Sequence, residues 1–275
     1  MDLMGAVELT IGLKLAQGRE AEVYAWNGNA VLKLYWPGYL GHIAEASALS
    51  TLQRSGSTAP RLIGAVEIDG RHGLILERLE GPDMLSLLQR RPWRMLGLAR
   101  TLAEAQLLIH GVQAPEDLPD LKQVLAARIE AGVESAELRD FSLQVLDPLP
   151  AGDRLCHGDF HPGNVLVADS QVSVIDWTNA TRGVPEADFA RTALLLAHGE
   201  PPPDTSRLFR TLLSAGRSVF ARAYARNYRR RTEDPLKQVR SWVITHAAAR
   251  LADGIEEEEP MLIAFLNDAR RKAMH

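Results

Sequence analysis

Leu155-Cys156-His157-Gly158-Asp159-Phe160-His161-Pro162-Gly163-Asn164-Val165-Leu166-Val167, with Val174-Ile175-Asp176-Trp177 shortly after it, is a polar loop running into a predicted β-hairpin. Two apolar runs, 164–168 and 172–175, are joined by the turn pair Asp169-Ser170. This order brings Asp159, Asn164 and Asp176 to the ends of short strands, two carboxylates with one amide. Hard oxygen donors of this kind suit Mg²⁺, which keeps part of its water shell and binds substrate phosphates; zinc and copper prefer nitrogen or sulfur. An Asp to accept a hydroxyl proton, an Asn a few residues on and an Asp beyond a hairpin are the parts phosphoryl transfer uses, in that order. Here Asn164 and Asp176 follow Asp159 by five and seventeen residues. The plainer reading makes Asp159 and Asn164 turn formers around Pro162-Gly163, and Asp176 a turn cap. His157 and His161 have the i, i+4 spacing of a metal pair. Pro162-Gly163 argues against a helix presenting them together, so His157 is expected to be a hydrogen-bonding scaffold for the loop.

Upstream, short strand-like runs fall near 9–15, 21–26, 30–36, 61–68 and 72–79, separated by Gly18, Asn27-Gly28-Asn29 and Asp69-Gly70. Asn-Gly and Asp-Gly tolerate positive φ and predict hairpins. One helix is predicted over 41–54, closed by Gly56 and Pro60. In Val31-Leu32-Lys33-Leu34-Tyr35-Trp36, strand alternation puts Val31, Lys33 and Tyr35 on one face. Lysine is scarce, five of the 31 basic residues. Lys33 on a half-apolar face therefore points to a demand for a compact ammonium, as nucleotide phosphates make; the alternative is an edge-strand lysine snorkelling to solvent. Glu45, the only acid between residues 40 and 60, shares a helical stripe with Leu49 and Leu52, so it faces the core and wants a cation. The segment Gly18-Arg19-Glu20-Ala21-Glu22-Val23-Tyr24 would cover the phosphates. G-x-G-x-x-G is absent from the chain, however, and Gly18 reads equally well as a plain hairpin turn.

From about residue 84 the period becomes helical, over 84–90, 93–111, 120–132, 185–198, 204–226, 236–252 and 259–273, with 153–184 as a loop-and-strand island. Gly81-Pro82 interrupts both patterns and marks a hinge. The expected architecture is α+β and bilobal: a β-rich lobe over 1–80 with one helix, and a mainly helical lobe over 81–275 carrying the loop. A chain of 275 residues, 46% hydrophobic and 24% charged, suits two lobes sharing a cleft. A formal net charge of −4 argues against a nucleic-acid partner. The single cysteine, Cys156, permits no intrachain disulfide, and no secretory signal or membrane-length apolar run is present, so a cytoplasmic protein without a membrane partner is expected.

On these residues the chain resembles the aminoglycoside phosphotransferase and choline kinase superfamily, small-molecule kinases with a protein-kinase-like fold. The resemblance rests on His157–Asn164 and Ile175-Asp176-Trp177, on the order of Lys33, Glu45, Leu79-Glu80-Gly81 and Leu107-Leu108-Ile109-His110, and on Pro185-Glu186-Ala187-Asp188-Phe189-Ala190. It implies ATP or GTP between the lobes with its base near the backbone of 77–79 (Glu77 to Leu79), and Gly18 over the phosphates. Lys33 would hold the α/β-phosphates, oriented by Glu45; Asn164 and Asp176 would bind Mg²⁺; Asp159 would orient and deprotonate a hydroxyl of a small-molecule substrate. Asp188 would support the loop from below, or else is an acid in a helix's first turn. Two positions depart from many relatives: Thr178 stands where an acid often follows Asp-Trp, and Gly183-Val184-Pro185 replaces Gly-Asp-Pro. Both weaken an aminoglycoside assignment. The acids of 256–259 would either receive a polycationic sugar or form a solvated helix start. Arg226 and Arg229-Arg230-Arg231, with Tyr224 and Tyr228, read as a solvated helix end rather than an RNA contact. The competing functions are a nucleotide-binding module without catalysis, suggested by the degenerate glycine turn, and a metal-dependent hydrolase built on His157, Asp159, His161 and Asp176.

Overall fold

The hairpin signals produce the sheet that carries Lys33. In the computed structural model, which describes residues 11–56, 59–168, 171–198, 207–232 and 238–273, β1 (Lys14–Gln17), β2 (Ala21–Trp26), β3 (Ala30–Tyr35), β4 (Leu62–Ile68) and β5 (Arg71–Glu77) form one antiparallel sheet in the order β1-β2-β3-β5-β4. Gly28 turns between β2 and β3 at φ 68°, and Asp69 and Gly70 turn between β4 and β5 at φ 51° and 73°, the left-handed pair a tight hairpin demands. The helix α1 (Gly41–Ser55) joins β3 to β4 and ends at Gly56, whose φ of 71° lets its N–H reach Leu52. β3 lies between β2 and β5, so Lys33 is on an inner strand, opposite Val23 and Leu74. The edge-strand explanation of Lys33 is thereby removed. The first expected strand, near 9–15, falls partly outside the described residues; the strand described is 14–17.

Residues 78–83 lead from the sheet into α2 (Met84–Arg90), α3 (Met95–His110), α4 (Leu121–Gly132), α5 (Ala136–Leu146), α6 (Pro185–His198), α7 (Arg207–Arg231), α8 (Val239–Arg250) and α9 (Glu259–Ala273). The starts expected at 204 and 236 lie outside the described residues. Asp83, Asp120 and Ser135 cap α2, α4 and α5 by accepting from backbone N–H groups. The periodicity does not predict α5: its buried stripe is Leu138, Ser142 and Leu146, and the serine in the middle, which donates to the Leu138 carbonyl, breaks the apolar repeat. Two small antiparallel pairs interrupt the helices, β7 (Val165–Ala168) with β8 (Gln171–Val174), and β6 (Arg154–Cys156) with β9 (Thr181–Gly183). Among the described residues no helix is long and apolar enough to cross a membrane.

Two apolar cores flank the catalytic-type loop. One joins the sheet and α1 to α2, α3 and α7 through Leu49, Leu74, Leu102, Phe160, Val174 and Trp177. The other packs α4, α5, α6, α8 and α9 around Ile129, Leu194, Trp242 and Leu266. Leu155 belongs to the first and Cys156 to the second, so the loop that starts at His157 is anchored at its root by both. Tyr224 and Tyr228 are fully buried in the first core. They are packing residues beside the basic helix end, not ring platforms for a nucleic acid.

Candidate active site

The positions singled out in the sequence converge. Lys33 Nζ lies 2.6 Å from Glu45 Oε2 and 2.6 Å from Asp176 Oδ1, bridging the sheet, α1 and the second residue after β8. Burial works against its charge, but the two carboxylates outweigh burial and hold the ammonium above its ordinary pKa. Glu45 is buried and fully employed: Oε2 also accepts from the Tyr35 hydroxyl, and Oε1 accepts from the Trp177 backbone N–H at 3.1 Å. Burial raises the Asp176 pKa, yet Lys33 brings it below the usual carboxylate value. Asp176 has a φ of 66°, a left-handed conformation that a non-glycine residue holds only when its surroundings over-determine it. Here Lys33 and the Thr178 hydroxyl, 3.1 Å away, both donate to Asp176 Oδ1. Thr178 thus serves as a donor that fixes Asp176.

The loop below is built on His157 and Asp188. His157 is fully buried; its Nδ1 accepts from the Asp159 N–H at 3.2 Å, so Nε2 carries the proton it shares with the Ile175 carbonyl at 3.1 Å. Burial pulls its pKa down, in keeping with a neutral ring. His157 is the scaffold the sequence predicted. Among the described residues no three His, Cys, Asp or Glu side chains gather at metal-binding spacing, and with both ring nitrogens engaged His157 is not a free ligand, which removes the basis for a zinc hydrolase.

Asp188, on α6, receives Gly158 N–H on Oδ1 at 2.8 Å, and Gln106 Nε2 and His110 Nε2 on Oδ2 at 3.0 Å each. Its own desolvation is overcome by His110 and the Gly158 N–H, and the carboxyl stays well below the usual range. Gly158 sits at φ 78°, and a Cβ there would fall 2.2 Å from the Asn179 carbonyl oxygen, so only glycine fits. Asp188 supports the loop as the resemblance implied. Nothing local in α3 distinguishes Gln106, and Tyr224, which the sequence marks only as part of the basic helix end, donates its hydroxyl to that amide.

Asp159 has His161 Nε2 at 3.6 Å and an Arg191 terminal nitrogen at 3.7 Å. Burial would raise its pKa, but these two groups outweigh it and bring the carboxyl down to about 2. Asn164 spends its Nδ2 on the Asp159 carbonyl at 3.0 Å, leaving Oδ1 as a donor for a cation. Asp176 Oδ2 has no hydrogen-bond partner among the described residues. One amide oxygen and one carboxylate oxygen are hard donors, too few for a protein-only cage, and fit Mg²⁺ held jointly with waters and phosphate oxygens.

Three implied nucleotide positions are placed less directly. Gly18 lies in the β1–β2 turn, its N–H bonded to the Ala21 carbonyl at 2.9 Å; the next residue but one, Glu20, reaches Asn179 Nδ2 at 3.4 Å, so this turn does hang over the segment after Asp176. The Glu77 carboxylate turns to Arg61, 3.3 Å away, and its N–H is bonded to the Arg61 carbonyl at 2.9 Å, so of its polar groups only the carbonyl is left for a base. Leu79 is half-buried in the 78–83 connector, which is tied to β7 by the Val167 N–H on the Pro82 carbonyl at 3.0 Å. A cavity of about 1110 Å³ lies on the far side of Trp177, between the C-terminal end of α1, α3 and β8, and contains none of Lys33, Asp159, Asn164 or Asp176. Of the run 256–259, only Glu258 turns inward; Glu256 and Glu257 are exposed and Glu259 opens α9.

The fold and this site define a phosphotransferase of the two-lobed, protein-kinase-like kind, one that takes an alcohol group as acceptor. The chain belongs to the phosphotransferase enzyme family, whose family model matches residues 12–233, and is a small-molecule phosphotransferase. Solved structures agree on the fold. An aminoglycoside-3'-phosphotransferase of type VIII is 21% identical, with a TM-score of 0.62 over 90% of this chain and 92% of that one. Amicoumacin kinase, solved with AMP-PNP, Ca²⁺ and Ami, is 14% identical with a TM-score of 0.66 over 94% and 88%. A choline/ethanolamine kinase family protein from Mesorhizobium loti is 15% identical with a TM-score of 0.58 over 99% and 90%. No curated protein matches the chain.

Proposed function

We propose that the chain transfers the γ-phosphoryl group of ATP or GTP to a hydroxyl of a small molecule, with the nucleotide between the lobe of 1–80 and the lobe of 81–275. The observation that carries this reading is the Lys33 ammonium set 2.6 Å from both Glu45 and Asp176, on the same side as the loop bearing Asp159 and Asn164. Lys33, raised and fixed by Glu45, meets the α/β-phosphates as a compact cation. Asn164 Oδ1 and Asp176 Oδ2 would hold Mg²⁺, which supplies charge neutralisation for the phosphates when bound. Asp159, ionised and oriented by its loop, accepts the hydrogen of the acceptor hydroxyl and, as that oxygen bonds to phosphorus, takes the proton. A carboxyl held near pH 2 is a weak base, which suits a loose transition state in which orientation of the hydroxyl matters more than early proton removal. Relatives by fold carry names that include aminoglycoside, amicoumacin and choline/ethanolamine kinases, and an alcohol-bearing metabolite or antibiotic is the corresponding acceptor class here.

The test is Asp159→Asn. Phosphotransfer to a hydroxylated acceptor that the parent accepts should fall by about 10²–10⁴-fold, while binding of Mg²⁺·AMP-PNP, followed by calorimetry, stays within about threefold of the parent. Turnover close to the parent's would remove Asp159 from the role of base.

A further inference from the structure

Beside Asp159, Arg191 of α6 has Arg250 of α8 and Arg128 of α4 in its neighbourhood, and the charges of those two are already spoken for. Arg250 grips Glu258 with two nitrogens, at 2.7 and 2.9 Å, and Asp253 with a third at 3.0 Å. Arg128 pairs with the other oxygen of Asp253. These two acids are therefore held by guanidinium groups, while Glu256 and Glu257 face solvent.

Arg191 is the exception. Its side chain is only 11% exposed. Nε donates to the Gly158 carbonyl at 3.1 Å, which fixes it to the catalytic-type loop. Its terminal nitrogens make no hydrogen bond among the described residues; the approach of one to Asp159 Oδ1, at 3.7 Å, is beyond hydrogen-bond length. Burial, then the like charge of Arg250, works against its own charge, and the carboxylates of Asp159 and Asp253 offset only part of that. A guanidinium so placed has one carboxylate at ion-pair distance and terminal donors still without a hydrogen-bond acceptor among the described residues.

We infer that the acceptor alcohol carries an oxyanion, a carboxylate or a phosphate, which Arg191 binds beside Asp159, and that the acceptor is not a polycation. This rests on the kinase reading of Asp159. A polycationic sugar would meet Asp253 and Glu258 already held by Arg128 and Arg250 and would have to compete for them, whereas an oxyanion meets free donors on Arg191. In the transfer itself the acceptor O–P bond forms, the bond from phosphorus to the nucleoside diphosphate breaks, and the hydroxyl proton goes to Asp159; the oxyanion at Arg191 stays unchanged and orients the alcohol.

The experiment uses the full chain with Mg²⁺·AMP-PNP and follows its melting temperature with added D-glycerate, D-gluconate, glucose 6-phosphate, glucose or kanamycin. At 10 mM, at least one of the three anions should raise the melting temperature by about 2 °C or more, with no shift from glucose or kanamycin. Arg191→Gln should abolish the anion shift and Arg191→Lys should keep part of it. Stabilisation by kanamycin, or no response to any of the three anions, overturns the inference. The γ-phosphate is the other source of an oxyanion near Arg191. Equal affinities of AMP-PNP and ADP for Arg191→Gln, each within about threefold of the parent, are expected; a selective loss of AMP-PNP would assign Arg191 to the nucleotide and overturn the inference too. Failure of Mg²⁺·AMP-PNP to stabilise the parent would instead strike at the kinase reading.

Discussion

Glu45 and Asp188 are buried carboxylates on either side of the site, and they are satisfied in different ways. Glu45 is bound to a charged partner, Lys33, that itself opens onto the cleft and onto Asp176. Asp188 is bound to groups that face no cleft: Gln106, His110 and the N–H of Gly158. The first carboxylate tunes and aims a cation that a substrate can use. The second fixes a backbone turn, and through it the place of Asp159. A buried acid in this protein is therefore functional or architectural according to whether its partner has another side to offer.

That contrast can be broken, most severely at the architectural acid. Asp188→Ala leaves the Gly158 N–H, His110 and Gln106 without their acceptor, and should cost about 3–5 kcal/mol of stability by denaturant unfolding; a loss under about 1 kcal/mol would show that the loop does not hang on this residue. Lys33→Met should cost less stability, about 1–2 kcal/mol, since Tyr35 and the Trp177 N–H still serve Glu45, but it should weaken Mg²⁺·AMP-PNP binding at least tenfold, about 1.4 kcal/mol by calorimetry. If both variants lost stability alike and nucleotide binding were untouched, the two carboxylates would be doing the same job. Acid sharpens the same distinction. Asp188 has its folded pKa below the unfolded value near 3.8, so its contribution is present above about pH 4 and is lost as the pH falls through the folded pKa. The melting temperature of the parent should drop between about pH 4 and pH 2, and that of Asp188→Asn should drop less over the same range. The smallest effect belongs to an ion pair that neither tunes nor builds. Arg61→Ala, which removes the exposed pair with Glu77, should change stability by less than about 0.5 kcal/mol.

Much of the site was legible because its chemistry sits in fixed local spacings. Asp159, Asn164 and Asp176 lie within one loop and hairpin, and Lys33 is marked by strand alternation in a chain poor in lysine. Glu45 is marked by a helical stripe that an acid does not otherwise enter. The Gly18 turn was half legible: its place was predicted, while its reach toward Asn179 through Glu20 depends on how the sheet lies against the helical part. What stayed hidden has partners far away in the chain. Gln106 and Asp188 are 82 residues apart, and Tyr228 meets His110 across 118. Arg191 looked like one more arginine among many. The α5 helix was missed because its buried stripe contains Ser142, whose hydroxyl is satisfied within its own helix.

Periodicity and turn chemistry by themselves determined that a strand-rich part precedes a helical one, and residue spacing marked the side chains proposed to carry phosphate chemistry. Both are local properties, fixed by the 2.0 and 3.6 residue periods and by the φ that glycine permits. Only the tertiary structure decided the electrical state of the site: that Lys33 stands on an inner strand between two carboxylates, that the inward acids of 251–259 are held by Arg128 and Arg250, and that Arg191 is left facing Asp159 with nitrogens to spare. Charge pairing acts through space and takes no account of distance along the chain, so the sequence could name the charged residues while their partners waited on the fold.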